Sequence, residues 1–101
     1  MAVLAIFTGT GLTKQLYEAL RPEVAWETKH PRGAVLHACG FDDAGTLHVA
    51  DVWESADLMN DFVNNRLAPA MKKLGVPPPS VSVYPAHNVN VFPGAREFSV
   101  K

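Results

Sequence analysis

Along Gly33–Phe62 the pattern of apolar and polar positions changes period twice. Ala34–Phe41 is a run of apolar and small residues of strand length. Asp42-Asp43-Ala44-Gly45 is a turn sequence, with Gly45 free to take a positive φ. Thr46–Glu54 is a second β-rich run. From Ser55 onward the apolar residues Met59, Phe62, Val63, Leu67, Ala70, Met71 and Leu74 recur at helical spacing. The pattern predicts a hairpin that runs into a helix without a loop, with Ser55 as N-cap and Asp57 in the first turn.

The flanking segments complete the frame. Val3–Thr8 is a short β-rich run, apolar at both parities, as in a central strand covered on two sides. After Gly9-Thr10-Gly11, Thr13 is an N-cap candidate for a helix carrying Leu16, Tyr17, Leu20 and Val24 on one face. Pro22 is expected to end that helix near Leu20 and let it restart. Glu27–Arg32 reads as a loop. In the second helix Pro69 predicts a kink or a split, and Gly75 a stop. Pro77-Pro78-Pro79 is an extended connector. Val81–Phe92 reads as one long last strand. Pro85 removes one ladder donor, which assigns it to a sheet edge.

The order is β-α-β-β-α-β, an α+β, ferredoxin-like arrangement with an antiparallel sheet carrying helices on one face. Residues 1–93 are read as a single domain and 94–101 as a short tail. A 101-residue chain that is 48% apolar can build a core, but a small one. The sheet face away from the helices is also rich in Val, Leu and Phe, which predicts a face-to-face homodimer. Nine basic against ten acidic residues give no reason to propose nucleic acid. No apolar run reaches membrane-spanning length. One cysteine, Cys39, excludes an internal disulfide and suits a reducing, cytoplasmic setting.

Candidate chemistry centres on His37, Asp51 and His87. His37 and His48 lie on the hairpin strands, and their faces depend on the turn. A plain four-residue connection pairs His37 with Ala50. A glycine bulge at Gly45 pairs it with Asp51, giving an imidazole oriented by a carboxylate, as general bases need. Asp51 stands among Val49, Val52 and Trp53 and must find a partner there. His87 and Asn88 sit among valines in the last strand. Trp53, at the mouth of a strand, is an aromatic able to stack on a planar ligand, and Tyr84 reads as a core aromatic with its hydroxyl at the surface. His30 reads as surface, and Tyr17 as a core aromatic with its hydroxyl at the surface. No compact metal-ligand spacing and no phosphate loop is present, so no metal or cofactor is expected.

The run Ala50-Asp51-Val52-Trp53-Glu54-Ser55 before a helix bearing Phe62 resembles the dimeric α/β-barrel superfamily, in particular its antibiotic-biosynthesis-monooxygenase-like group. Arg66-Leu67-Ala68-Pro69-Ala70, the proline connector and Pro85-Ala86-His87-Asn88 are similar to small members of that group. The resemblance implies a dimeric barrel and, in some members, cofactor-independent oxygenation. Oxygenase members usually carry a histidine on the second helix near the position of Phe62, and this chain has none there. The sequence leaves three readings. The first is a cofactor-independent monooxygenase-like enzyme acting on a hydrophobic aromatic molecule. The second is a binding protein with the same pocket, and the third is haem binding through one histidine. The enzyme reading assigns His37, His87 and Asp51 to catalysis. It assigns Trp53, Phe62, Tyr84 and Asn88 to the ligand.

Overall fold

The computed structural model describes residues 1–100. Four strands, β1 (Val3–Gly9), β2 (Ala34–Phe41), β3 (Leu47–Trp53) and β4 (Ser80–Pro85), form one antiparallel sheet in the order β2-β3-β1-β4. That is the ferredoxin-like order, with β2 and β4 at opposite edges. Helix α1 (Lys14–Val24) and the composite helix α2 (Ala56–Phe62), a π-helical segment (Val63–Leu67) and α3 (Ala68–Leu74) cover one face. The core lies between that face and the helices. Val3, Ala5, Phe7, Leu47, Val49 and Trp53 meet Leu20, Val24, Met59 and Met71 there.

Caps fall where the sequence puts them. Thr13 Oγ1 accepts from the Leu16 N–H at 3.2 Å, and Ser55 Oγ accepts from the Leu58 N–H at 3.2 Å. Gly75, at φ +68, ends α3. Pro22 does not break α1, contrary to the sequence expectation. It withdraws a single donor, the turn around it stays closed by the Ala25 N–H to the Arg21 carbonyl, and Arg21 is itself pinned by Glu18 and Glu27. Pro69 has the larger effect. The helix widens before it, the Ala68 N–H reaches back five residues to the Val63 carbonyl, and Pro69 sits in the first turn of α3 where no donor is missed.

The hairpin takes the bulged register. Phe41 pairs with Leu47, and His37 therefore pairs with Asp51. The Gly45 N–H closes a turn onto the Asp42 carbonyl, Gly45 takes φ +81, and the Asp42 N–H bonds the Thr46 carbonyl. The Asp42 side chain accepts from the Ala44 and Thr46 N–H groups and contacts His48 at 2.9 Å. These bonds, that to His48 foremost, hold its carboxyl below the usual aspartate range. His48 is thereby spent at the exposed end of the hairpin.

The last strand is shorter than expected. It stops at Pro85, not Phe92. Its only neighbour is β1, which begins at Val3 opposite Pro85. One more bond joins the Ala86 N–H to the Ala2 carbonyl at 2.9 Å. Beyond it residues 87–92 have no strand of their own chain to pair with, and Val89, Val91 and Phe92 are exposed. The segment read from sequence as a short tail contains a short helix, α4 (Gly94–Phe98).

Two glycines test the local geometry. A Cβ on Gly45 meets nothing within 4 Å, so Gly45→Ala exposes the positive φ alone and is expected to lose about 1–2 kcal/mol. Gly33, at φ +86, adds a clash of 2.6 Å with Leu58 Cδ1. Gly33→Ala is therefore expected to lower the urea midpoint further than Gly45→Ala.

Candidate functional site

Alternation along β3 turns Leu47, Val49, Asp51 and Trp53 toward the helices and His48, Ala50 and Val52 away. Asp51 is the one buried charged residue among those described, 7% exposed, with the fully buried Ala5 opposite it on β1. Its two oxygens are both used. Oδ2 accepts from the Trp53 Nε1–H at 3.1 Å, and Oδ1 lies 2.7 Å from His37 Nδ1. His37 Nε2 in turn lies 2.8 Å from the Tyr17 hydroxyl on α1. Four side chains from three elements thus form one hydrogen-bonded chain.

The direction of that chain follows from its fixed end. An indole N–H only donates, so Asp51 is an acceptor on that side. The carboxylate then takes the Nδ1–H of His37. In a neutral imidazole this leaves Nε2 as acceptor, and the Tyr17 O–H donates to it. Burial, with the adjacent Cys39 thiol adding to it, pushes the Tyr17 phenol well above the ordinary tyrosine range, so the hydroxyl keeps its proton. Burial likewise raises the Cys39 thiol.

Around this chain is a cavity of about 300 Å³ between the sheet and the helices. Its walls are mostly apolar, with Phe7, Leu12, Leu20, Leu47, Val49, Phe62, Leu67 and Met71 among them. The polar groups Tyr17, His30, His37 and Asp51 also line it. Trp26 packs 5.5 Å from the Tyr17 ring and 5.6 Å from the His37 ring, and Trp53 lies 5.3 Å from Phe62. The π-helical segment serves this wall. Arg66 crosses the Phe62 ring at 5.2 Å and donates to the carbonyls of Val24 at 2.9 Å and Lys29 at 2.7 Å. It ties down the loop that carries Trp26 and His30. Such apolar cavities with a few converging polar groups are the usual form of small-molecule sites.

Of the residues singled out from sequence, His37, Asp51, Trp53 and Phe62 come together in this cavity. His87, Tyr84 and Asn88 do not. All three are exposed, because β4 is an edge strand that ends at Pro85 and the segment after it leaves the sheet. Sequence reasoning missed Trp26 and the bond between the Tyr17 hydroxyl and His37; His30 is exposed, as read from sequence, and also reaches the cavity wall. Tyr17 lay on the apolar face of the first helix, beside Leu16 and Leu20. That position was the available signal that its ring turns inward. Among the described residues, no group of three or more His, Cys, Asp or Glu is placed to hold a metal ion, and no helix is long and apolar enough to cross a membrane.

No family model and no curated protein matches the sequence. Solved structures do match the fold. A conserved protein from Methanosarcina mazei Go1 superposes with TM-score 0.64 at 12% identity, covering 83% of this chain and 91% of that one. A Chloroflexus aurantiacus protein, provisionally described as an antibiotic biosynthesis monooxygenase, gives 0.63 at 12% identity, over 91% of this chain and 100% of that one. SnoaB, a cofactor-independent oxygenase from Streptomyces nogalater, gives 0.61 at 15% identity, over 87% and 93%. The chain is a small ferredoxin-like α+β protein with a buried polar chain at an apolar cavity. Its fold is that of the antibiotic-biosynthesis-monooxygenase-like group. At these identities the likeness is one of architecture.

Removing the carboxylate strands two donors. Asp51→Ala is expected to lose about 1–3 kcal/mol for the indole N–H alone, since Trp53 is 3% exposed and water cannot replace the acceptor. Asp51→Asn keeps the shape and one acceptor and is expected to lose less. Urea unfolding of the two variants measures the difference.

Proposed function

We propose that the cavity binds a hydrophobic, aromatic small molecule and that His37, oriented by Asp51, accepts a proton from it, as in a cofactor-independent monooxygenase-like enzyme. The observation that carries this reading is the 2.7 Å contact between His37 Nδ1 and a buried carboxylate at the wall of an apolar cavity. Asp51 fixes the tautomer and steadies the imidazolium once formed, which is how a carboxylate serves a general base. A phenol or anthrone that loses a proton there becomes an electron-rich anion able to meet oxygen directly. The likeness to SnoaB supports the reading through fold.

A second reading is a binding protein without turnover. It is favoured by the fact that both ring nitrogens of His37 are already hydrogen-bonded, to Asp51 and to Tyr17. Both readings require the ligand. The chain's two tryptophans, Trp26 and Trp53, both line the cavity, so their fluorescence reports occupancy. Anthrones and hydroquinones are expected to quench it at micromolar concentration. Oxygen uptake with the metal-stripped protein then separates the readings. The enzyme reading expects His37→Ala to slow uptake by about 10²-fold or more. Quenching without uptake leaves the binding protein.

We also propose that the chain works as a homodimer. The support is a row of apolar side chains crossing the helix-free face, Leu36, Val52, Leu4 and Tyr84, one from each strand in register. Covering such a face at about 25 cal/mol per Å² contributes more than a domain of this size can spare. Residues 87–92, which have no neighbour of their own, extend toward the second copy. Light scattering is expected to return twice the 11.0 kDa chain mass. Deleting residues 84–101 is expected to weaken the dimer more than deleting 94–101.

A further inference from the structure

We infer that Tyr17 is the catalytic residue that meets the substrate, passing the substrate's proton to His37 through its own hydroxyl. The inference deepens the enzyme reading above and rests on it. Its ground is a conflict in that reading. A base must offer a free lone pair, and His37 has none to offer. Nδ1 is engaged with Asp51 at 2.7 Å and Nε2 with the Tyr17 hydroxyl at 2.8 Å. The imidazole is therefore reached from the cavity through oxygen.

Tyr17 has the properties a relay needs. Its hydroxyl carries one proton and two lone pairs. The proton is committed to His37 Nε2, and even with the Cys39 thiol also beside the hydroxyl one of its two lone pairs is left for a substrate. Its ring lines the cavity, is nearly parallel to the His37 ring at an interplanar angle of 5°, and is held by Trp26 and by the edge of Phe41. Partial burial, with the Cys39 thiol adding to it, keeps the phenol protonated, so it arrives as a neutral donor. The charged and titratable groups around the pair are Asp51 on β3, Cys39 on β2, Glu18 and Arg21 on α1, Glu27 after it, and His30 at the cavity wall.

The step balances as one net proton transfer. The substrate's O–H, or the C–H beside its carbonyl, breaks and its proton bonds to the Tyr17 oxygen. The original Tyr17 proton moves to His37 Nε2. The substrate is left as a phenolate or enolate, Tyr17 is unchanged, and the imidazolium formed is held by Asp51. No electrons are transferred and no co-reactant is needed. The substrate class is accordingly phenols and enolisable aromatic ketones whose oxygen can sit against the Tyr17 hydroxyl. After transfer that same hydroxyl donates to the oxyanion and stabilises it, as oxyanion donors do.

The probe is 4-nitrophenol, yellow when ionised and colourless when not, added to the full-length protein below its solution pKa. Occupancy is read separately from tryptophan quenching. The wild type is expected to bind it and turn it yellow. Tyr17→Phe is expected to bind with similar quenching and to lower the ionised fraction about tenfold, a shift of one pKa unit. 3-Fluorotyrosine placed at position 17 preserves the ring and acidifies the hydroxyl. It is expected to shift the ionisation midpoint of bound probe to lower pH, and it serves where Tyr17→Phe fails to fold. Yellow probe in Tyr17→Phe, or an unmoved midpoint with the fluorinated residue, overturns the relay while leaving His37 as a direct base. Bound but colourless probe in the wild type also overturns the relay. Absence of quenching in the wild type overturns the cavity reading itself, and the relay with it.

Discussion

Asp51 is the group on which the helix-facing side of the sheet depends. A carboxylate placed among Ala5, Val49 and Trp53 is costly to bury unless each oxygen is met by a donor. Trp53 meets one and His37 the other, which is why the His37 ring points toward Asp51 although His37 stays partly exposed on an edge strand. Tyr17 then completes the imidazole from the opposite layer. The polar chain thus joins sheet to helix across a core that is otherwise held by non-directional apolar contact, and it fixes where the cavity's polar wall stands. The same directionality makes the arrangement fragile in a way apolar packing is not, because removing Asp51 leaves the Trp53 indole N–H buried and unmet.

That chain exists because of one residue of register. A strand alternates with period two, so a slip by one at the turn carries every side chain of β2 to the other face. Gly45 decides it, since φ +81 allows the bulge that pairs His37 with Asp51. From sequence the turn was visible and both registers were writable. Choosing between them needed a reason for Asp51 to be satisfied, and that reason lay in Trp53 and Tyr17, whose positions in space the sequence does not state. The caps and the break around Pro69 were legible because they are set by residues near in sequence, and the strand order because it follows from the β-α-β-β-α-β succession. Thr13, Ser55 and Pro69 act within four or five residues of themselves. Tyr17 with His37 is a contact over twenty residues, and Arg66 with Val24 one over forty-two. Local pattern carries no information about either.

Pro22 and the end of β4 mark two further limits of reading by pattern. The proline removes one helical bond, and whether a helix survives that depends on what else closes the turn. Here Arg21 does so with Glu18 and Glu27. For β4 the alternation from Val81 to Phe92 is real, but a strand is a pairing and not a property of one segment. Past Ala86 the chain has no neighbour to bond. The pattern that reads as a strand there is consistent with one completed by a second copy, and so is the apolar row across the outer face of the sheet.

The fold and the chemistry therefore come from different parts of the molecule. The architecture is shared with proteins at 12–15% identity, which preserves strand order and helix placement and leaves side chains free to differ. The place on the second helix where the family resemblance directs the search for a histidine is occupied by Phe62, which packs on Trp53 and under Arg66 instead. The titratable groups at this cavity stand on the sheet and on α1. A base mounted on a helix over the cavity can present a nitrogen directly to a ligand. A base mounted on the sheet, with its outward nitrogen closed by a tyrosine, cannot do so without either moving that tyrosine or working through it. Tyr17 is walled by Trp26 on one side and stacked along His37 on the other, and the loop bearing Trp26 is anchored by Arg66. Swinging the ring aside breaks these contacts together, whereas a proton moving along the 2.8 Å bond breaks none of them. On the proposed reading, the route through the hydroxyl is the one that keeps these contacts.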